Sequence, residues 1–326
     1  MATRRRPITR RGDHKFSIGM VAMISVWIAR LRRAYVTTSL AVLGLVPVAA
    51  LANPEPWQLN LTKGVTPTSE RVHAMHMISL WVCVGIGVLV FGAMIYAMFR
   101  FRKSKGAVPA TWSHSTKLEV IWTVTPIIIL IVMAWPATRL LVDMAHTDDS
   151  DMTVKVTGYQ WKWRYEYVDY YEQNPGVGFM STLHRDSNRV RQLGSGLDPA
   201  SVKVGDQSTY LLDVDNPLVL PVGVKVRFVI TADDVIHSWW VPVLGWKQDA
   251  IPGMVTSAWA MINEPGTYRG QCAELCGKDH GFMPIVVKAL PKDEFERWLA
   301  EQQAAKAAAA SAGTAQTAAP ASQTQG

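Results

Sequence analysis

The stretch HAMHMISLWVCVGIGVLVFGAMIYAMF, residues 73–99, carries no Asp, Glu, Lys or Arg in 27 positions. As a helix rising 1.5 Å per residue it would reach about 40 Å, enough to cross a hydrocarbon core of about 30 Å. The run stops at Arg100, Arg102, Lys103 and Lys105. A second uncharged run, VIWTVTPIIILIVMAWPAT at residues 120–138, lies between Glu119 and Arg139. Pro126 and Pro136 would break a soluble helix but are tolerated in a membrane bundle. Trp122 and Trp135 lie near its two ends, where amphipathic rings favour the interface. The two runs predict a transmembrane hairpin with helices over about 73–99 and 120–141.

Working outward, the link between the runs holds five Lys/Arg, counting Lys117, and no acid before Glu119. The positive-inside rule places it in the cytoplasm, with both flanks outside. Upstream, Arg30-Leu-Arg-Arg33 precedes the apolar stretch Tyr35–Ala50, and Ala50-Leu-Ala52 has the small-x-small form of a signal-peptidase site. Residues 1–52 therefore read as a secretory presequence cleaved before Asn53, which agrees with an outward N-terminus. The presequence also explains the net charge of +7. It holds nine Lys/Arg and one acid, leaving 24 basic and 25 acidic residues, so no case for nucleic-acid binding remains.

Residues 53–150 form the N-terminal segment and hairpin, and from Met152 the pattern changes. Short alternating or β-branched runs are broken by Gly, Pro and Asp. Candidate strands are Thr153–Thr157, Trp161–Val168, Thr209–Val214, Val224–Thr231, Val235–Val241, Val255–Ile262, Thr267–Gly270 and Pro284–Ala289. Strands of this length and spacing suggest an all-β sandwich or Greek-key barrel over 151–300. Residues 172–206, rich in Gly, Ser, Asn and Asp, read as an irregular excursion. Asp293–Gln303 can form a short helix, and the Ala-rich remainder of 301–326 reads as a disordered tail.

Of three cysteines, Cys83 sits inside the first apolar run and reads as a small core hydrophobe. The other two lie in Gly270-Gln-Cys272-Ala-Glu274-Leu-Cys276-Gly-Lys-Asp-His280-Gly-Phe-Met283-Pro284. Two thiols, an imidazole and a thioether fall within twelve residues. Soft sulfur with imidazole suits copper, and His/Cys with a weak Met is an electron-transfer ligand set. Two thiolates on one turn can bridge two metals, each needing its own terminal imidazole. His280 is one, and His237, in Val235-Ile-His237-Ser-Trp239, is the best second. A Cys272–Cys276 disulfide and a zinc site remain open, although the first leaves His280 and Met283 unexplained and the second leaves Met283 idle.

Cys-x3-Cys-x3-His-x2-Met with the upstream Val-Ile-His-Ser-Trp resembles the dinuclear copper (CuA) loop of cytochrome c oxidase subunit II. The likeness runs in order from about Trp57 to Trp298. It includes Glu119-Val-Ile-Trp-Thr-Val-Thr-Pro126, Gly158-Tyr-Gln-Trp-Lys-Trp-Arg-Tyr-Glu-Tyr167, Val214-Asp-Asn216 and Lys247-Gln-Asp-Ala-Ile-Pro-Gly253. The resemblance implies a cupredoxin-like Greek-key barrel behind the membrane hairpin. It further implies that Cys272 and Cys276 bridge two coppers, with His237 and His280 as terminal ligands. Met283 becomes a weak axial ligand, and the Glu274 carbonyl serves the other copper. The Glu274 carboxylate is implied to bind a magnesium shared with subunit I.

By the same resemblance Trp161 is the exposed aromatic through which cytochrome c delivers electrons. Glu166, Asp169, Asp233 and Asp234 belong to an acidic docking face, and Glu119 stands at the entrance of a proton path. Tyr159 departs from the family by standing where many relatives have His. The implied protein is the electron-accepting subunit of a respiratory oxidase and translocase in a bacterial inner membrane. Its copper domain is periplasmic, and its partners are subunits I and III, cytochrome c and lipid. The present ligands argue against a quinol oxidase. The hairpin and chain length argue against nitrous-oxide reductase.

Overall fold

The computed structural model describes residues 58–192, 195–198 and 209–317. The presequence and its cleavage point before Asn53 lie outside the described residues. Two helices come first among the described residues: α1, Pro67–Arg100, and α2, Thr116–Ala145. Both are long and apolar enough to cross a membrane, and the chain is membrane-anchored. Their 34 and 30 residues exceed the uncharged runs at both ends. At 1.5 Å per residue they reach roughly 51 and 45 Å, so their last turns extend past the hydrocarbon into the interfaces. Large apolar side chains such as Val88, Leu89, Leu130 and Val132 are exposed along them, as a lipid-facing surface requires. Cys83 is also exposed on α1, so its apolar surroundings are not a core of this chain.

The start of α1 is fixed by chemistry visible in the sequence. Pro67 occupies the first turn, and Thr66 and Ser69 form a reciprocal capping box. The same cap joins the helix to the β domain: Thr66 Oγ1 donates to the Leu244 carbonyl at 2.9 Å. Val65 N donates to the Val243 carbonyl at 3.0 Å. At the far end of the hairpin's return helix, the Asp143 side chain accepts from Arg71 at 2.7 Å and its carbonyl accepts from Trp259 Nε1 at 2.9 Å.

The β domain contains β1 Met152–Tyr159, β2 Lys162–Tyr170, β3 Gly178–Ser181, a short helix α3 Arg185–Val190, β4 Leu218–Pro221 and β5 Lys225–Ala232. It continues with β6 His237–Trp240, β7 Lys247–Ala250, β8 Thr256–Met261, β9 Gly266–Cys272, β10 Pro284–Leu290 and the final helix α4, Lys292–Thr317. One sheet runs β3-β2-β1-β5-β8 and the other β4-β10-β9-β6-β7. β1 pairs with β5 and β10 with β4 in parallel; the other pairings are antiparallel. Strict alternation along β5 turns Val226, Phe228, Ile230 and Ala232 inward. They meet Trp163 and Tyr165 of β2 and Trp239 of β6 in one core. Trp239 stacks on Trp246 at 5.3 Å, and Phe228 lies 5.1 Å from Trp239. The architecture is the all-β domain behind a helical hairpin that the sequence predicts.

Three expectations change. Thr209–Val214 is a turn and not a strand: Thr209 Oγ1 donates to Asp213 at 2.6 Å, Leu211 has φ +65°, and only Val214 pairs, with Leu183. Side-chain bonds to Asp213 here outcompete ladder formation. The excursion 172–206 contains β3 and α3, which four to six residues of mixed composition do not reveal. The final helix does not stop at Gln303 but runs on to Thr317, through residues expected to be a disordered tail. Alanine is the best helix former, and that stretch is dominated by it.

Candidate metal centre

β6 places His237 with its side chain buried between the sheets, opposite Ala250. On the neighbouring strand, Trp239 pairs with Cys272, the last residue of β9. The chain leaves the sheet there and returns at Pro284, so residues 273–283 form a loop. Its base is closed by Cys272 N donating to the Met283 carbonyl at 3.0 Å, and by Ala273 N donating to the Ser238 carbonyl at 3.0 Å. Inside it, His280–Phe282 forms a single 3-10 turn. Cys272, Cys276 and Met283 are buried.

These elements bring the predicted ligands together. The Cys272 and Cys276 sulfurs lie 3.8 Å apart, too far for a disulfide bond, and both are free. Cys272 Sγ is 3.9 Å from His237 Nδ1, and Cys276 Sγ is 3.5 Å from His280 Nδ1. The ligand atoms of His237, Cys272 and Cys276 all fall within 4.8 Å of one another. The Cys272 thiol also donates to the Glu274 carbonyl at 3.3 Å, which puts that oxygen at the site while the Glu274 side chain is exposed. Two sulfurs flanked by two imidazoles in a buried pocket suit a soft, thiophilic metal, and the donor set fits copper.

The electrostatics prepare the site for a cation. Burial opposes ionisation of Cys272, but hydrogen bonds from His237 and from backbone groups pull its pKa down to about 7. Burial and the charge of Cys272 push the Cys276 thiol up to about 12. The two thiols thus share one easily lost proton, and the second leaves only against a compensating positive charge. Burial tends to lower the His237 pKa, but the Cys272 sulfur and the Asp234 carboxylate raise it overall.

The second nitrogen of His237 is occupied. Nε2 meets Asp234 Oδ1 at 2.9 Å. That carboxylate also accepts from Gln160 N at 2.7 Å and Val235 N at 2.6 Å. Asp234, expected on a docking face, also holds the candidate ligand His237 by its outer nitrogen, the usual arrangement behind a metal-bound imidazole. Gly158 on β1 is the other support. A Cβ there would lie 2.8 Å from His237 Cδ2 and 3.0 Å from Cγ, so only glycine leaves room for the ring. Trp163 packs edge-on against the same ring at 5.9 Å.

Trp161 stands beside the loop. Its indole N–H donates to the Cys276 carbonyl at 3.3 Å, and Gln160 Nε2 donates to the same oxygen at 2.9 Å. Gly277, at φ +117°, permits this approach: a Cβ there would meet Trp161 at 3.3 Å. Asp233 is exposed, with its backbone N–H on the Gly158 carbonyl at 3.1 Å. Glu166 and Asp169 are not gathered here. They lie five and eight residues further along β2, roughly 17 and 27 Å away at about 3.3 Å per residue. Glu166 is also paired with Lys155 at 3.3 Å and Arg164 at 3.1 Å. Glu119 sits in the first turn of α2, roughly 39 Å along the helix from its Ala145 end. Asp234, Gly158 and Gln160 as supports were beyond sequence reasoning. The Asp-x-x-His spacing is the one local signal, and a glycine carries none.

Comparisons with known proteins identify the family of this chain. A family model described as cytochrome C oxidase subunit II, periplasmic domain, matches residues 152–290, and one for the transmembrane domain of the same subunit matches residues 54–140. A probable cytochrome c oxidase subunit 2 of Rickettsia bellii (strain RML369-C) is 40% identical over 251 residues, 77% of this chain and 86% of that protein. The cytochrome c oxidase subunit 2 of Cereibacter sphaeroides is 34% identical over 252 residues, covering 76% and 82%. Among solved structures, the periplasmic domain of subunit II of cytochrome oxidase of Bradyrhizobium japonicum is 36% identical. It covers 48% of this chain and 97% of that one, with a TM-score of 0.39.

Proposed function

Because this chain belongs to the cytochrome c oxidase subunit II family, we propose that it is the electron-accepting subunit of a bacterial respiratory oxidase. In this reading it takes electrons from cytochrome c at a dinuclear copper centre. It passes them to the haems of subunit I, where oxygen is reduced to water and protons are translocated. The supporting observation is the pair of sulfurs 3.8 Å apart, each with a histidine Nδ1 within 3.9 Å. Copper bound there would supply a one-electron carrier shared over both thiolates.

The chain's own residues hold the donors still. Asp234, accepting from His237 Nε2, fixes the tautomer that turns Nδ1 toward the thiols. One sheet anchors His237 and Cys272 on its adjacent strands β6 and β9, so a change in charge meets a framework that shifts little. Met283, buried at the loop base, would supply a thioether to the donor set. Trp161, bonded to the carbonyl of Cys276, offers the surface contact for cytochrome c, with Asp233 and the anionic Asp234 beside it. Glu274 presents an exposed carboxylate for magnesium at the boundary with subunit I. Glu119, at the inner end of α2, serves proton uptake, and the β domain faces the periplasm. Subunit III is the third partner.

The test is electron paramagnetic resonance with copper quantitation on the full-length chain loaded with copper. Two coppers per chain, with hyperfine structure from one electron shared over both nuclei, are expected. A one-copper spectrum would refute the dinuclear reading.

A further inference from the structure

Asp213 and Arg191, which lie between β3 and β4, reach the strand that leads into the ligand loop and the loop itself. Asp213, just before β4, accepts from Arg269 Nε at 3.1 Å and Nη2 at 2.8 Å, and Arg269 lies on β9 three residues before Cys272. After the last turn of α3, Arg191 reaches the other half of the loop. Its Nη1 and Nη2 donate to the two carboxylate oxygens of Asp279 at 3.1 and 3.2 Å, and its Nε donates to Asn188 at 2.9 Å. The face of the guanidinium lies over the Phe282 ring, 4.2 Å from its centre. The Arg191 and Asp279 side chains are only 14% and 18% exposed.

Asp279 immediately precedes His280 and stands at the start of the turn His280–Phe282. Its side chain makes no capping bond to that turn, so the carboxylate is committed to Arg191. Its carbonyl accepts from Phe282 N at 2.9 Å. Arg191 therefore holds both ends of the turn that carries His280, one by a two-pronged ion pair and one by stacking. A fork of this kind fixes direction as well as distance, which an ammonium cannot do.

We propose that Arg191 is a positioning residue for the metal centre: by gripping Asp279 and covering Phe282 it sets where His280 stands relative to Cys276. Gln160 and Trp161 tie the half of the loop around Cys276, and the base is tied by backbone bonds, so loss of this brace would leave metal binding to order the His280 half each time. The inference rests on the copper reading above.

The experiment compares the copper-loaded full-length chain with Arg191→Ala, Asp279→Asn, the double variant and Arg191→Lys. Each is read by chelator competition, by the hyperfine pattern of the paramagnetic spectrum and by a metal-free thermal melt. Each single variant should lose copper affinity by about 10–100-fold with an altered spectrum. The double should cost no more than the worse single, because both remove one interaction. Arg191→Lys should fall between parent and Arg191→Ala. Parent-like affinity and spectrum in Arg191→Ala would overturn the proposal. If that variant fails to fold, the same parent-like result in the near-isosteric Asp279→Asn would overturn it. A parent chain that takes up no copper overturns the copper reading and this inference together. A dinuclear parent with unchanged variants overturns the brace alone.

Discussion

His237 owes its orientation to neighbours that have no metal chemistry of their own. Asp234 takes its outer nitrogen, Trp163 closes one face, and Gly158 vacates the space its ring fills. A methyl at Gly158 would sit 2.8 Å from Cδ2 of a fully buried ring that has nowhere to withdraw. Gly158→Ala is therefore expected to destabilise the metal-free domain by about 1–3 kcal/mol, as overpacking does. It should also weaken copper binding by about tenfold or more, because the displaced ring is a proposed ligand. A thermal melt and a chelator competition on the same samples check both effects. Equal affinity in the variant would mean that His237 is not held from this side.

At the scale of elements, the final helix divides into a half packed on the core and an exposed half held by one lysine contact. Phe295 and Leu299 are buried, and Trp298 and Phe295 lie 5.5 and 6.4 Å from Tyr167 of β2. Beyond Gln303, whose side chain donates to the Pro175 carbonyl at 3.1 Å, the described side chains are exposed and mostly alanine, with Lys306 reaching the Gly176 carbonyl. Phe295→Ala should cost about 3–5 kcal/mol in denaturant unfolding followed by tryptophan fluorescence. Ala308→Gly should reduce helical circular dichroism and leave the unfolding midpoint within about 0.5 kcal/mol of the parent. A large loss from Ala308→Gly would show that the outer half is packed after all. The strands that escaped prediction, β3, β4 and β7, have four residues each. Too few side chains alternate for a period to show, and their pairing is decided by longer neighbours.

At the scale of the whole molecule, charge placement distinguishes one docking region from another. Asp233 and Asp234 flank Trp161 and the loop, whereas Glu166 is neutralised by Lys155 and Arg164 on the strands beside it. For the proposed oxidase, cytochrome c oxidation should slow as salt rises, because an acidic surface attracts a basic donor over about one Debye length. Asp233→Asn should flatten that dependence, and Glu166→Gln should leave it nearly unchanged. Steady-state oxidation across an ionic-strength series distinguishes them, and an equal effect of both substitutions would refute this placement.

The sequence by itself determined the hairpin, because uninterrupted apolar length is a property of consecutive residues. It also determined the ligand loop, whose two cysteines, histidine and methionine fall in one short segment, and most long strands, whose alternation repeats every two residues. The tertiary structure alone decided what steadies those ligands. Asp234 against His237, Gly158 beneath it, and Arg191 on Asp279 join segments 3 to 88 residues apart. Apart from the Asp-x-x-His spacing, such contacts depend on how two sheets and an irregular segment close on one another, which no local pattern carries. The same reason explains why Glu166 and Asp169 lie further along β2 while Asp234 meets His237: a strand fixes direction residue by residue, but only packing fixes what stands at its end.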